Sequence, residues 1–223
     1  MNASSTSPKI TIGVVIPAFN EAENLNGVLA TIQATDWLAQ VVIVNDGSSD
    51  DTLQIVRACA ERDMRVQVVD LPINRGKAGA MLAGVQTLQT DLVIFLDADL
   101  INLKPQHLMS LQTPVISDQC EMSIALFRHG RFRTALSHRL TPNLSGQRCM
   151  WREAAEHALG PIAGSRFGVE MGLTRYAHQH HWRIQRVYWT GVTHRMKEEK
   201  RKVFSGIAAR WQMYCEIAGA MTR

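Results

Sequence analysis

Val41-Val42-Ile43-Val44-Asn45-Asp46-Gly47-Ser48-Ser49-Asp50-Asp51-Thr52 decides the fold. Four consecutive β-branched residues leave no polar face, and so short a run reads as a strand buried on both sides. Asn45, Asp46 and Gly47 are turn residues. Ser48, Ser49 and Asp50 then offer side-chain oxygens for the amides that open a helix. The same succession of strand, turn and helix recurs on either side. Apolar runs at residues 10–16, 41–44, 66–69 and 92–96 alternate with helix-length segments at about residues 21–34, 50–62 and 77–89. Leu25, Val28, Leu29 and Ile32 keep helical spacing in the first of these. Alternation of this kind predicts an α/β fold, with right-handed crossovers and a parallel sheet.

The second half is less regular. Residues 121–127 read as a further strand, 151–158 and 168–181 as helices, and 182–189 as a strand with Ile184, Val187 and Trp189 apolar. Residues 197–220 read as one or two terminal helices. No repeat, low-complexity tract or linker divides the chain, so residues 1–223 are expected to form one domain.

Composition agrees with a globular protein. Of the 223 residues 46% are hydrophobic and 20% charged. Cys59, Cys120, Cys149 and Cys215 lie far apart with no CxxC pair, which argues against a zinc site or disulfide framework and for a reducing cytosol. Residues 1–8 are polar and lack the apolar core of a signal peptide. No run approaches the roughly 18 apolar residues that span a bilayer. A soluble, cytoplasmic protein is the expectation. The net charge of +4 is uneven, with Arg, Lys and His concentrated in residues 128–223. A basic half suits a phosphorylated small substrate, an anionic lipid or nucleic acid. Zinc-finger, helix-turn-helix and RNP-like patterns are absent, which sets nucleic acid aside.

In open α/β sheets ligands bind beyond the carboxyl ends of the strands. The polar clusters at residues 17–21, 45–50, 74–77 and 97–99 should therefore meet on one edge. Phe95-Leu96-Asp97-Ala98-Asp99 brings two carboxylates to the end of an apolar strand, where their repulsion calls for a cation. Oxygen ligands with open positions suit Mg²⁺ or Mn²⁺. Asn20 and Glu21 sit where a ligand would meet the following helix. Asp46 leaves its strand at a Gly turn, placed to accept from a base N–H. Asn74-Arg75-Gly76-Lys77-Ala78-Gly79-Ala80 puts two cations and small residues at a helix start, a natural diphosphate site. Alone, Asp97-Ala98-Asp99 is an ordinary polar strand end. The three clusters before it change that.

In this order the motifs resemble the family 2 glycosyltransferases of the GT-A fold, the group containing dolichyl-phosphate mannose synthase, over about residues 10–100. The resemblance implies a Rossmann-like, mostly parallel sheet flanked by helices, with C-terminal helices. Residues 9–100 would form the nucleotide-sugar-binding half and 101–223 the acceptor-binding half. Pro17, Ala18, Phe19, Glu21 and Asp46 would surround the nucleoside, with Gly76 and Lys77 near the base or phosphates. Asp97, Ala98 and Asp99 would lie against the nucleotide sugar, Asp97 and Asp99 holding Mg²⁺ or Mn²⁺ against the diphosphate and Asp99 acting in catalysis. A fainter resemblance, to soluble enzymes related to glucosyl-3-phosphoglycerate synthase, rests on Leu144-Ser145-Gly146-Gln147-Arg148, Phe167-Gly168-Val169-Glu170-Met171-Gly172-Leu173 and Gly191-Val192-Thr193-His194-Arg195. It implies that His194 completes the metal ligands and that Glu170 is catalytic, near the transferred sugar. Gly146 and Arg148 would lie on the acceptor side, with Arg152 flanking them. His178, His180 and His181 read as a solvated helix face.

The implied activity is metal-dependent sugar transfer from a UDP- or GDP-linked donor to an acceptor, either a soluble phosphorylated acid or a polyprenyl phosphate. A homodimer, and peripheral membrane contact through residues 197–210, are both compatible. The mannose synthase-like enzymes commonly carry an acid where this chain has Asn143, so the base is open and so is the stereochemistry. Two alternatives stand beside this. A nucleotidyltransferase of similar fold would need a Gly-rich, cationic loop where Pro17-Ala18-Phe19-Asn20-Glu21 stands. A non-catalytic sugar-nucleotide-binding module would have been suggested by loss of a metal aspartate, and both are present.

Overall fold

The computed structural model describes residues 10–128, 145–164 and 168–194. Its strands and helices begin as the sequence suggests, with β1 (Ile12–Ala18), α1 (Leu25–Gln33), β2 (Gln40–Asp46), α2 (Thr52–Arg62), β3 (Val66–Leu71), α3 (Gly76–Thr87) and β4 (Leu92–Phe95). Then follow β5 (Leu100–Ile101), α4 (Pro105–Ile116), β6 (Met122–Arg128), β7 (Arg148–Trp151), α5 (Arg152–Leu159), α6 (Val169–Gln179), β8 (Ile184–Thr190) and β9 (Thr193–His194). Seven strands form one sheet in the order β3-β2-β1-β4-β7-β6-β8, and β5 pairs with β9 in a separate ribbon. Pairings in the sheet are parallel except where β7 runs antiparallel to β4 and β6.

The uninterrupted apolar strands have a physical reason. Successive side chains point to opposite faces, and here both faces carry helices. Val14, Ile16, Val41, Ile43 and Ile94 pack with Leu25, Val28 and Ile32 of α1, Val56 of α2 and Leu108 and Leu111 of α4. Their neighbours Val15, Val42, Val44, Val93 and Phe95 pack with Ala80, Met81 and Val85 of α3, Ala155 and Leu159 of α5 and Leu173 of α6. Each face thus excludes water from the strands, and polar groups collect at strand ends.

Several boundaries move. The first helix begins at Leu25 rather than near residue 21, because residues 22–24 form a turn in which the Glu21 carbonyl accepts from the amides of Asn24 and Leu25. Pro17 does not end β1, which runs through Ala18 with Pro17 opposite Val44. The last β4 partner of β1 is Phe95, opposite Val15. Beyond that point β1 is paired on one side only, where a residue without an N–H is tolerated. Asp51 precedes α2 but makes no side-chain cap; the Ser48-Ser49-Asp50 cluster serves mainly to join loops, as described below.

Four elements were not anticipated: the two-residue strands β5 and β9, helix α4 and strand β7. Pro105 sits in the first turn of α4, where its fixed φ is suited to helix entry. The Lys104 amide donates to His107 Nδ1 at 3.0 Å and closes that end. Strand β7 begins at fully buried Arg148, and a charged residue hides a strand from any apolar pattern. The expected helices at 197–220 lie outside the described residues.

Helix α3 lies close on the sheet because Gly84 has no side chain. A Cβ there would collide with Val15 Cγ1 and stand 3.1 Å from Val44 Cγ2. Gly84→Ala should destabilise the protein by about 1–3 kcal/mol through overpacking, measured by urea unfolding. An unchanged midpoint would show that α3 shifts freely.

Candidate functional site

The loop after β1 is tied to the loop after β2. Asn20 takes a left-handed φ of 52°, a conformation that Asn tolerates better than most residues. Its amide donates to Ser48 Oγ at 3.0 Å and its Oδ1 accepts from the Ser49 amide at 2.8 Å. The Glu21 amide donates to Thr52 Oγ1 at 2.8 Å, and the Ala22 amide to Asp50 Oδ2 at 3.1 Å. Asp50 Oδ1 accepts from both the amide and the hydroxyl of Thr52. Burial alone would raise the Asp50 carboxyl, but the bonds from Thr52 and Ala22 prevail and hold it below its ordinary 3.8. The Glu21 carboxylate accepts from Asn24 Nδ2 at 2.6 Å.

The loop after β3 is joined to the same edge by Asp46. This carboxylate is buried, and its Oδ1 accepts the Arg75 amide at 2.7 Å, at the start of α3. Gly47 has a φ of 69°, and a Cβ there would stand 2.7 Å from the Asn74 amide nitrogen. Only glycine satisfies both the angle and the close approach. Phe19 lies half-exposed at the end of β1, while Ala18 is buried.

Lys77, in the first turn of α3, reaches across to the segment after β4 and to α6. Its Nζ stands 2.6 Å from Asp97 Oδ1 and 2.7 Å from Glu170 Oε1. Desolvation would lower its pKa, yet the Asp97 and Glu170 carboxylates outweigh this and hold the ammonium above its usual value. Glu170 occupies the first turn of α6, where the helix dipole favours a negative charge. Asp97 Oδ2 accepts from Gln147 Nε2 at 2.7 Å. The Ser145 hydroxyl donates to Gln147 Oε1 at 2.8 Å and so turns the amide's N–H toward Asp97. Gly146 lies between these partners, and a Cβ on it would fall 2.6 Å from Lys77 Nζ and 2.7 Å from both Asp97 oxygens.

Asp97 and Asp99 flank Ala98, whose methyl is buried in the core. One carboxylate oxygen of each and one ring nitrogen of His194 lie within 4.8 Å of one another. Two carboxylates and an imidazole are a donor set that fits Mn²⁺ or Mg²⁺. His194 closes β9, whose partner β5 starts directly after Asp99.

The expected strand-end clusters therefore meet, with Asp46 joined to Arg75 and Lys77 to Asp97. Arg148, expected on the acceptor side, points into the protein interior. It is fully buried, and its guanidinium donates to the Glu170 carbonyl at 2.8 Å, Thr174 Oγ1 at 3.0 Å and the Ser145 carbonyl at 3.1 Å. Burial pulls it down to about 10, with the Glu170 carboxylate acting in the opposite direction. Arg152 lies at the far end of the sheet, donating to the Thr90 carbonyl beside the start of β4. His178, His180 and His181 are exposed, as expected. Gln147 escaped the sequence reading. Its place between Gly146 and Arg148 was the available signal, but an uncharged amide carries no motif of its own.

The sequence profile of glycosyl transferase family 2 matches residues 13–148. Among curated proteins, the undecaprenyl-phosphate 4-deoxy-4-formamido-L-arabinose transferase of Edwardsiella ictaluri is 44% identical over 96 residues, covering 41% of this chain and 30% of that protein. The matched stretch thus spans less than a third of that relative. Among solved structures, glucosyl-3-phosphoglycerate synthase from Mycobacterium tuberculosis, in complex with Mn²⁺, UDP and glucosyl-3-phosphoglycerate, superposes with a TM-score of 0.67 at 24% identity. That likeness covers 86% of this chain and 74% of the other. S. aureus TarS (residues 1–349) gives a TM-score of 0.63 at 19% identity over 81% of this chain and 60% of its own. Both are likenesses of fold.

Two predictions follow from the loop geometry. A carboxyl held below its unfolded value stabilises the fold above that value, and the benefit is lost as the pH falls through the folded one. Asp50→Ala should therefore unfold at lower urea than wild type at pH 6, with the gap closing as the pH drops well below 3.8. A gap that widened in acid would contradict this. Gly146→Ala should push Lys77 from Asp97 and cost about 1–3 kcal/mol. Thermal unfolding and a crystal structure of the variant would check both effects.

Proposed function

The chain belongs to glycosyl transferase family 2, and we propose that it transfers a sugar from a nucleoside-diphosphate sugar to an acceptor. The observation that carries this reading is the convergence of the Asp97 and Asp99 carboxylates with Lys77 at the opening of α3. Asp97, Asp99 and His194 would hold Mn²⁺ or Mg²⁺, which when bound supplies positive charge to the departing nucleoside diphosphate. Lys77 and the first amides of α3 offer the protein's own stabilisation of that leaving group. Asp46 and the exposed ring of Phe19, with Pro17, Ala18 and Glu21, stand where a nucleoside would lie over the ends of β1 and β2.

Glu170 would meet sugar hydroxyls or take the acceptor's proton, a reading supported by Lys77, which binds both its Oε1 and Asp97. Arg148 positions that glutamate from behind through the Glu170 carbonyl. Gly146 leaves open the space that any side chain would take from this cluster. A phosphorylated acceptor is favoured by the basic second half. Two comparisons point the same way: the Edwardsiella ictaluri relative is named for undecaprenyl phosphate, and the mycobacterial structure holds a phosphoglycerate product. Among the described residues no helix is long and apolar enough to cross a membrane.

A thermal-shift panel of UDP- and GDP-sugars with Mn²⁺ or Mg²⁺ tests the donor. At about 100 times Kd the donor should add about 2.7 kcal/mol of stability, a shift of roughly 5–10 °C for a chain of this size. Asp99→Ala should abolish the metal-dependent part and lower transfer on the order of 10²-fold. If no nucleoside diphosphate stabilised the protein with either metal, the reading would be wrong.

A further inference from the structure

Asp97 is held from two sides by groups of different character. Gln147, itself fully buried, donates to Oδ2 and is locked by Ser145. This is a neutral contact that a ligating carboxylate keeps. On the other side the Lys77 ammonium stands 2.6 Å from Oδ1. A divalent ion held by Asp97 would lie close to that ammonium, and like charges repel in this partly buried site. Lys77 has somewhere else to go. Its Nζ already touches Glu170 at 2.7 Å, and its four-carbon stem is flexible. It also lies in the opening turn of α3, where an anionic diphosphate would be drawn.

Resting on the function proposed above, we propose that Lys77 is an internal counter-cation that holds Asp97 until a nucleoside diphosphate draws it away. The divalent ion would then enter with the nucleotide rather than before it. Lys77 and Glu170 together set this order. The diphosphate replaces Asp97 as the partner of the ammonium, and Glu170 retains its side of the pair throughout. Metal and nucleotide are thereby coupled through a protein side chain in addition to any direct contact between them, and such coupling is reciprocal.

The test is Mn²⁺ binding, read by the electron paramagnetic resonance of free Mn²⁺, with and without saturating UDP or GDP. Wild type should bind Mn²⁺ weakly alone and more tightly with nucleotide. Lys77→Met should bind Mn²⁺ alone about tenfold more tightly than wild type, while nucleotide adds less than it does in wild type. Glu170→Gln should act in the opposite direction, because Lys77 then has Asp97 as its sole carboxylate partner of the two. Equal or weaker Mn²⁺ binding by Lys77→Met, undiminished nucleotide coupling in it, or tighter binding by Glu170→Gln would each overturn the inference. Should Lys77→Met fail to fold, as judged by circular dichroism, the sign of the Glu170→Gln effect still decides. If wild type bound no Mn²⁺ even with nucleotide, the proposed function would fail as well. Wild-type binding without the Lys77→Met gain would remove the lysine inference alone.

Discussion

Strands covered on both faces leave a polar side chain few places to stand, and this constraint shapes the whole of the first hundred residues. Residues of β1, β2 and β4 are buried on alternating sides against α1, α2 and α4 or against α3, α5 and α6. An unpaired polar group in that interior is costly. Polar side chains are therefore concentrated at the carboxyl ends of the strands, and there they must satisfy one another. Asn20 does so with Ser48 and Ser49, Thr52 with Glu21, and Asp46 with Arg75. The bonds that satisfy the loops also give the edge a defined shape.

The charged centre obeys the same economy at higher stakes. A shielded charge is tolerated when its partners are close and fixed. Lys77 has Asp97 and Glu170; Asp97 also has Gln147. Arg148 is fully buried, as Gln147 is, and two of its partners are backbone carbonyls. Its guanidinium holds the carbonyls of Ser145 and Glu170, so one buried cation positions both the segment carrying Gly146 and Gln147 and the opening of α6. Among the described residues of the second half, Ser145, Gln147 and Arg148 contribute geometry to the site.

How far the sequence could be read depended on whether an element announced itself locally. The run 41–44 became β2, and residues 92–96 became β4, because a doubly buried strand is apolar along its whole length. The apolar run that announces β1 starts two residues early because it includes Ile10, while the strand's end is set by its pairing with β2 as far as Ala18. β7 carries Arg148 at its first position, and no periodicity reveals a strand whose charged residue is satisfied by carbonyls from α6 and the preceding loop. Helix α4 contains Pro114 and begins at Pro105, both of which read locally as interruptions.

By itself the sequence determined that the chain alternates strand and helix, that four polar clusters follow four strands, and that two of those clusters carry the paired aspartates and the lysine. These are properties of neighbouring residues, and local spacing records them. Tertiary structure alone decided that Lys77 rests between Asp97 and Glu170, that Gln147 orients Asp97, and that Arg148 is internal. Those partners are separated by 20 to 93 positions in the sequence. Their meeting is a consequence of strand order in the sheet and helix docking on its face. Asp97-Ala98-Asp99 could be recognised as a pair of carboxylates from its neighbours, but what each oxygen faces was settled by residues from elsewhere in the chain.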